Sequence, residues 1–122
     1  MTRQKLRIKR AYEPPDARDG ARVLVDRLWP RGLSRERAKI DLWLKEIAPS
    51  GTLRRRLHRD PSAWGQFKTA YYAELERAPA QSALHALIER LAHGPVTLLF
   101  AARDETRNNA VALRKWLEDR VG

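Results

Sequence analysis

The chain has 122 residues and a mass of 14.1 kDa, the size of a single domain that can bury a real hydrophobic core. Its net charge is +10 and its pI about 10.8, so polyanions and phosphorylated small molecules are favoured partners. The absence of cysteine excludes disulfides, thiolate catalysis and metal sites with cysteine ligands. No apolar run approaches the roughly 18–20 residues of a membrane span, and no apolar signal segment follows the basic start. We therefore expect a cytoplasmic protein with no membrane partner.

The N-terminal segments predict two strands and a short helix. Leu6–Arg10 alternates apolar and basic residues, which is typical of a strand, here at a sheet edge. Tyr12–Gly20 is rich in proline and aspartate and predicts a loop. Arg22–Asp26 contains a β-branched apolar run and predicts a strand buried on both faces. Ser34 is a good N-cap for a short helix over Arg35–Lys39.

The middle of the chain begins with an ambiguous segment. Ile40–Ile47 fits both helical and strand spacing, and a strand is favoured because the residues before it then have the length of a minimal crossover. A helix is predicted over Leu53–His58, with either Ser50 or Thr52 as its cap.

Two amphipathic helices are predicted next. One follows Pro61 and carries aromatic and apolar residues at steps of three and four as far as Ala78, where Pro79 breaks it. The other has its apolar stripe over Leu84–Leu91 and is closed by Gly94.

The C-terminal part predicts a central strand and a final helix. Val96–Ala102 is apolar on both faces, as expected of a strand in the middle of a sheet. A helix from about Glu105 would bury Ala110, Leu113, Leu117 and Val121. Strands thus alternate with helices over residues 1–122, which predicts one compact α/β domain with a small, largely parallel sheet flanked by helices.

The strand end at Asp26 is the first candidate site. Asp26, Arg27, Trp29 and Arg31 follow the strand directly, and ligands of open α/β sheets bind outside the carboxyl ends of the strands. Arginine offers a planar fork for phosphate or carboxylate, and tryptophan can stack on a ring. The alternative is a surface ion pair of Asp26, with Trp29 filling the edge of the core.

A second candidate follows the predicted central strand. Asp104, Asn108 and Asn109 lie between its end and a helix N-terminus, where free N–H groups favour an anion. The alternative is simple capping of the helix by Asp104 or Thr106. If the two strands are neighbours, Asp104 and Asp26 lie at the same edge of the sheet. Two such acids could form an acid–base pair or bind a metal ion. No third metal ligand is evident, so no metal site is predicted.

The third group joins the ambiguous segment to the following helix. Trp43 and Lys45 precede Ser50, which would lie at the same sheet edge if Leu42–Glu46 is a strand. Trp43 is otherwise a core aromatic. The basic run Arg54–Arg56 either contacts nucleic-acid phosphates or forms a solvated face, and Arg54 belongs to the predicted ligand site.

Taken in order, these segments resemble the YeaO-like family of small bacterial proteins, a branch of the superfamily called domain of unknown function 488. The resemblance implies a compact α/β fold without an established activity or cofactor. Family members often have histidine where this chain has Asn109, and asparagine cannot act as a general base. The matching stretches cover nearly the whole chain, the most specific being Arg22–Gly32; the others are Arg10–Pro15, Asp19-Gly20, Trp43–Ser50, Leu53-Arg54, Phe67, Tyr71, Glu74-Leu75, Thr97–Leu99, Asp104 and Asn108–Ala110.

Several classes of function remain open, among them an interaction module without chemistry. The leading one is binding of an anionic, phosphate-bearing ligand, such as a nucleotide, at the carboxyl ends of the strands. A small hydrolase or transferase would give Asp26 or Asp104 a proton-transfer role. A nucleic-acid-binding or regulatory protein would use the first 60 residues, which hold 17 Lys and Arg against 8 Asp and Glu. No Gly-rich phosphate loop or metalloprotease motif is present, and no cofactor is implied.

Overall fold

Four parallel strands form one sheet in the computed structural model, which describes residues 6–121. The strands are β1 (Leu6–Arg10), β2 (Ala21–Leu24), β3 (Leu42–Trp43) and β4 (Val96–Phe100), and their order in the sheet is β1-β4-β2-β3. The predicted α/β class is confirmed. β1 is an edge strand and β4 lies inside the sheet, as predicted from their sequences.

Five α-helices connect or follow the strands. They are α1 (Arg35–Ala38), α2 (Gly51–Arg59), α3 (Trp64–Leu75), α4 (Ala78–His93) and α5 (Asn109–Val121), with 3-10 turns at Ala17–Asp19, Lys45–Ile47 and Pro61–Ala63. Of the helices in residues 6–121, none is long and apolar enough to cross a membrane.

The sheet has a large core on one face and a small one on the other. Successive strand residues point to opposite faces. Val23 and Leu98 are fully buried in the large core, against the apolar sides of α3, α4 and α5. Leu24 and Leu99 belong to the small core, which loops and α1 cover in place of long helices. The predicted inward residues of α5 are buried, except that the side chain of Val121 lies outside the described part.

The ambiguous segment Ile40–Ile47 contains both kinds of structure, and the expected strand over Leu42–Glu46 is wrong in extent. Only Leu42–Trp43 pairs with β2, and the 3-10 turn Lys45–Ile47 follows. The turn places the fully buried Ile47 in the large core. The free energy gained by burying this side chain outweighs that of extending a short edge strand.

The boundary between α3 and α4 also differs from the prediction. α3 ends at Leu75, and Ala78 is the first residue of α4. Pro79 therefore lies in the first turn of a helix and does not end one, because the missing N–H costs nothing where no intrahelical partner exists.

Side-chain caps fix the starts of two further helices. The Ser50 hydroxyl accepts a hydrogen bond from the Leu53 N–H at 3.3 Å, so Ser50, not Thr52, caps α2. α5 begins at Asn109, four residues later than expected, because Asp104 holds the preceding residues in a turn. The Asn108 side chain then caps α5 by accepting from the Val111 N–H at 3.0 Å.

A buried ion-pair network holds the loop that covers the small-core face. Asp19 is 2% exposed and accepts hydrogen bonds from Arg22 Nη1 at 2.7 Å and Lys9 Nζ at 3.1 Å. The next residue, Gly20, has φ +65°, and a Cβ there would lie 2.2 Å from the Pro95 carbonyl oxygen. Only glycine lets β2 start this close to the segment that leads into β4.

Candidate functional site

A cleft of about 740 Å³ opens at the carboxyl ends of β1, β2 and β4. Because all strands are parallel, the segments that follow them meet at this one edge of the sheet. Residues 26–31, which follow β2, form one wall, and residues 101–109, which follow β4, form another. Tyr12 after β1 and the side chains of Arg54, Leu57 and His58 on α2 complete the cleft.

Most of the predicted site residues line this cleft, and three do not. The lining residues among them are Asp26, Arg27, Trp29, Arg31, Arg54, Asp104, Asn108 and Asn109. Trp43, Lys45 and Ser50 lie outside the lining.

Asp26 joins the ends of two strands to the start of α5. Its Oδ2 accepts from the Ala101 N–H at 3.0 Å, and its Oδ1 accepts from the Asn109 side-chain amide at 3.0 Å. Burial raises the pKa of the Asp26 carboxyl, against the opposing effects of the Asn109 and Ala101 hydrogen bonds and the positive charge of Arg54. The carboxylate thus has a defined structural role and also faces the cleft.

The two asparagines are bound to neighbouring backbone. Asn109 donates its amide to the Val25 carbonyl at 2.9 Å as well as to Asp26. Asn108 is 2% exposed, donates to the Asp104 carbonyl at 2.9 Å and caps α5. The Asn108 side chain is thus engaged as the cap of α5, and the Asn109 amide as a bridge between Val25 and Asp26.

Asp104 is similarly engaged. Its Oδ1 accepts from the backbone of Thr106 and Arg107, and its Oδ2 pairs with Arg107 Nε at 3.1 Å. Backbone hydrogen bonds from Thr106 and Arg107 lower the pKa of Asp104 to about 2. Within residues 6–121, no group of three or more His, Asp or Glu side chains is placed to hold a metal ion.

Arg27 and Trp29 are held by the protein itself. Arg27 Nη2 donates to the Ala48 carbonyl at 3.0 Å. Trp29 Nε1 donates to the Leu33 carbonyl at 2.8 Å, and the Arg35 guanidinium covers its ring at 4.3 Å from the centroid. The Trp29 ring also packs against the small core. This is the position that the core-edge alternative predicts.

Trp43 and Ser50, which do not line the cleft, form hydrogen bonds with the segments that do. Trp43 Nε1 donates to the Asp26 carbonyl at 2.7 Å, and Lys45 Nζ lies 4.2 Å from the centre of the Trp43 ring. Ser50 caps α2, and its N–H donates to Glu74 Oε1 at 2.9 Å. Trp43 and Ser50 therefore position Asp26 and α2.

Three arginines of the cleft have no hydrogen-bond or ion-pair partner for their guanidinium groups among residues 6–121. They are Arg31, Arg54 and Arg103, and all three are exposed. Arg103 was not among the predicted site residues, although it stands directly before Asp104 in the sequence. An anion in the cleft would meet three cations with free donors.

The sequence-based site also omits the apolar part of the cleft. Tyr12, Leu28, Leu57 and Phe67 line it beside the charged residues. Leu28 stands inside the Arg22–Gly32 segment, and its position between two predicted site residues is the signal that could have identified it. Phe67 belongs to the apolar stripe of the helix predicted after Pro61. Nothing in the spacing of that stripe shows which of its residues face the cleft.

Fold and site together define a small parallel α/β domain with a cationic cleft at the carboxyl ends of its strands. The chain belongs to the YeaO-like family: the family model described as the inactive DUF488-N3 subclade matches residues 5–122. The uncharacterised protein YeaO of Escherichia coli K12 is 39% identical over 112 residues, covering 92% of this chain and 96% of that protein. The uncharacterised protein Rv3073c of Mycobacterium tuberculosis H37Rv is 37% identical over 116 residues, covering 95% of this chain and 96% of that protein. A comparison with solved structures gave no significant match.

Proposed function

We propose that the cleft binds a phosphate-bearing small molecule, such as a nucleotide, and that this binding is the function of the domain. The observation that supports it best is the convergence of Arg31, Arg54 and Arg103, from three separate segments, on one cavity. Like charges brought together repel each other, and a bound anion relieves that repulsion. Arginine forks suit the oxygens of phosphate through charge-assisted hydrogen bonds.

Binding without turnover is favoured over the hydrolase or transferase alternative. A general base needs a free lone pair directed at the substrate. The pKa of about 2 makes the Asp104 carboxylate a weak base, and the Asn109 amide is not a base at all. The Asp26 carboxylate is committed to a structural role, because its two oxygens hold the Ala101 N–H and the Asn109 amide in place. The description of the matching subclade as inactive agrees with this proposal.

Calorimetric titration with AMP, pyrophosphate and inorganic phosphate tests the proposal. We expect at least one of these ligands to bind, and to raise the melting temperature with a stabilisation of about 2.7 kcal/mol at a concentration of 100 times its Kd. Arg54→Ala removes one charge-assisted hydrogen bond worth about 1.5–3 kcal/mol, which weakens binding roughly 10- to 150-fold.

Arg55→Ala is the matched control for Arg54→Ala. Arg55 is the next residue of the same helix, is also exposed and carries the same charge, but it does not line the cleft. We expect its affinity for the same ligand to stay within about twofold of the unmodified protein, since distant exposed charges are largely screened. If none of the three ligands binds, or if both variants weaken binding equally, the cleft proposal fails.

Nucleic-acid binding is the second candidate, and the exposed face of α2 favours it. Arg54, Arg55, Arg56 and Arg59 are all exposed, and none has an ion-pair partner in the described part of the chain. Such a face can neutralise several phosphates of a strand, with affinity that falls steeply with salt. The double variant Arg55→Ala with Arg56→Ala should weaken binding of a fluorescent single-stranded oligonucleotide while AMP binding stays unchanged. If the oligonucleotide binds equally well at low and high salt, nucleic-acid binding through this face is excluded.

A further inference from the structure

The cleft combines its free arginines with unusual apolar exposure. Leu28 is 65% exposed and Tyr12 is 41% exposed, and among residues 6–121 they are the exposed large hydrophobic side chains. Both line the same cleft. Isolated exposed apolar residues are common on protein surfaces, but two that share one cavity with unpaired cations indicate a surface that a ligand covers.

Neither exposed side chain is on a loosely held segment. The Tyr12 hydroxyl donates to the Arg31 carbonyl at 2.8 Å, and the Arg10 guanidinium lies 5.0 Å from the Tyr12 ring centre. Leu28 stands between Arg27 and Trp29, whose side chains are each hydrogen-bonded to a backbone carbonyl. The backbone around Leu28 is therefore fixed, and its side chain is held outside both cores.

The cleft is larger than a lone inorganic anion needs. Its volume of about 740 Å³ is in the range of roughly 300–1,000 Å³ that is typical of pockets for small organic ligands. A phosphate ion would contact the arginines and leave the apolar wall in water. A ligand with an apolar body attached to its phosphate would cover both.

We propose that the ligand of this cleft is a phosphate monoester with a planar, apolar body, which packs against Leu28 and Tyr12 while its phosphate meets Arg31, Arg54 and Arg103. This inference rests on the proposed function and adds the chemical class of the ligand to it. A planar body suits the wall because the Tyr12 ring offers a flat contact surface and Leu28 adds an apolar one. The Tyr12 hydroxyl is already bonded to the Arg31 carbonyl, so it leaves no unpaired polar group against the apolar body.

Calorimetry with two probes of equal charge, phenyl phosphate and methyl phosphate, tests the inference. At pH 8 both monoesters are dianions, because their second pKa lies near 6. We expect phenyl phosphate to bind about tenfold more tightly, since its ring removes apolar surface of both partners from water. In Leu28→Ala the ratio of the two affinities should decrease, because only the Tyr12 part of the apolar wall remains. In Arg55→Ala the ratio should stay at its original value.

The outcomes separate this inference from the proposal on which it rests. If the two monoesters bind with equal affinity, or if Leu28→Ala leaves their ratio unchanged, the planar-body inference is overturned and anion binding stands. If neither monoester binds while AMP and pyrophosphate also fail, the proposed function itself is wrong. Circular dichroism of Leu28→Ala should match that of the unmodified protein, because a side chain 65% exposed contributes little to the fold.

Discussion

We predict that Asp19→Asn lowers the free energy of unfolding by about 3–5 kcal/mol, the usual cost of removing one partner from a buried ion pair. Asp19 and Arg22 are 2% and 3% exposed, and their contact is 2.7 Å long. Asparagine keeps the size of the side chain but removes the charge, so the buried guanidinium of Arg22 loses its counter-ion. Arg22 Nη2 already has no hydrogen-bond partner within the described residues, and no other acid pairs with Arg22.

The expected loss is large for a domain of this size. A stability of about 0.05–0.15 kcal/mol per residue corresponds to roughly 6–18 kcal/mol for 122 residues. We therefore expect the urea midpoint of Asp19→Asn to fall strongly with an unchanged m-value, and its melting temperature to fall by roughly 10–20 °C.

The pH dependence of this loss has a definite sign. Burial raises the pKa of Asp19, but hydrogen bonds from Lys9 and Arg22 outweigh it and hold that pKa below its ordinary value of 3.8. Because the folded state keeps the carboxylate ionised to lower pH than the unfolded chain, the stabilisation is complete above the unfolded pKa. The difference between the unmodified protein and Asp19→Asn should thus be full at pH 7 and shrink as the pH falls below 3.8.

Asp16→Asn is the control in the same loop. Asp16 pairs with Arg18 at 3.0 Å, but that Arg18 side chain is 76% exposed, and solvent screens an exposed pair so that it contributes little to stability. Asparagine also keeps the oxygen that caps the 3-10 turn. A loss below about 1 kcal/mol for Asp19→Asn, or equal losses for the two variants, would refute the buried-pair reasoning.

Two further predictions concern the backbone and the cleft. Gly20→Ala places a Cβ 2.2 Å from the Pro95 carbonyl oxygen at φ +65°. We therefore expect the free energy of unfolding, measured in urea, to fall by about 3 kcal/mol or more. In Gly32→Ala, at φ +75°, the new Cβ meets no atom within 4 Å, and the free energy of unfolding should fall by only about 1–2 kcal/mol. Equal losses would contradict the close-approach argument. Burial raises the pKa of Asp26, so the folded state holds the proton more tightly than the unfolded chain does. The stability of the unmodified protein relative to Asp26→Asn should therefore decrease as the pH rises above the ordinary pKa of 3.8. A difference that stays constant or increases with rising pH would refute the raised pKa.

Local patterns predicted most of the fold because the forces behind them are local. The alternation in Leu6–Arg10 and the continuous apolar run in β4 report which faces a strand buries. Ile40–Ile47 was ambiguous because two β residues and a 3-10 turn share the segment, and its pairing with β2 depends on residues about 20 positions away. Pro79 was misassigned because proline is compatible with the first turn of a helix as well as with a break.

The position of the candidate site was predictable from the sequence, but the contacts of each of its residues were not. Asp26 and Asp104 were placed correctly at one edge, since parallel strands bring their carboxyl ends together. The sequence does not reveal that Arg27 is bonded to a loop carbonyl while the guanidinium groups of Arg54 and Arg103 have no partner among residues 6–121. The two kinds of arginine look alike along the chain.

The sequence by itself determined the α/β class, the inner position of β4, the basic character of the first half and the strand ends where site residues gather. Tertiary structure alone decided which of those residues still have free hydrogen-bonding groups. The Asp26 carboxylate is bonded to Ala101, 75 positions away, and Arg10 Nη2 to the Ala101 carbonyl, 91 positions away. Such pairings follow from strand order, and strand order is fixed by burial of the whole core, which no local segment of the chain contains.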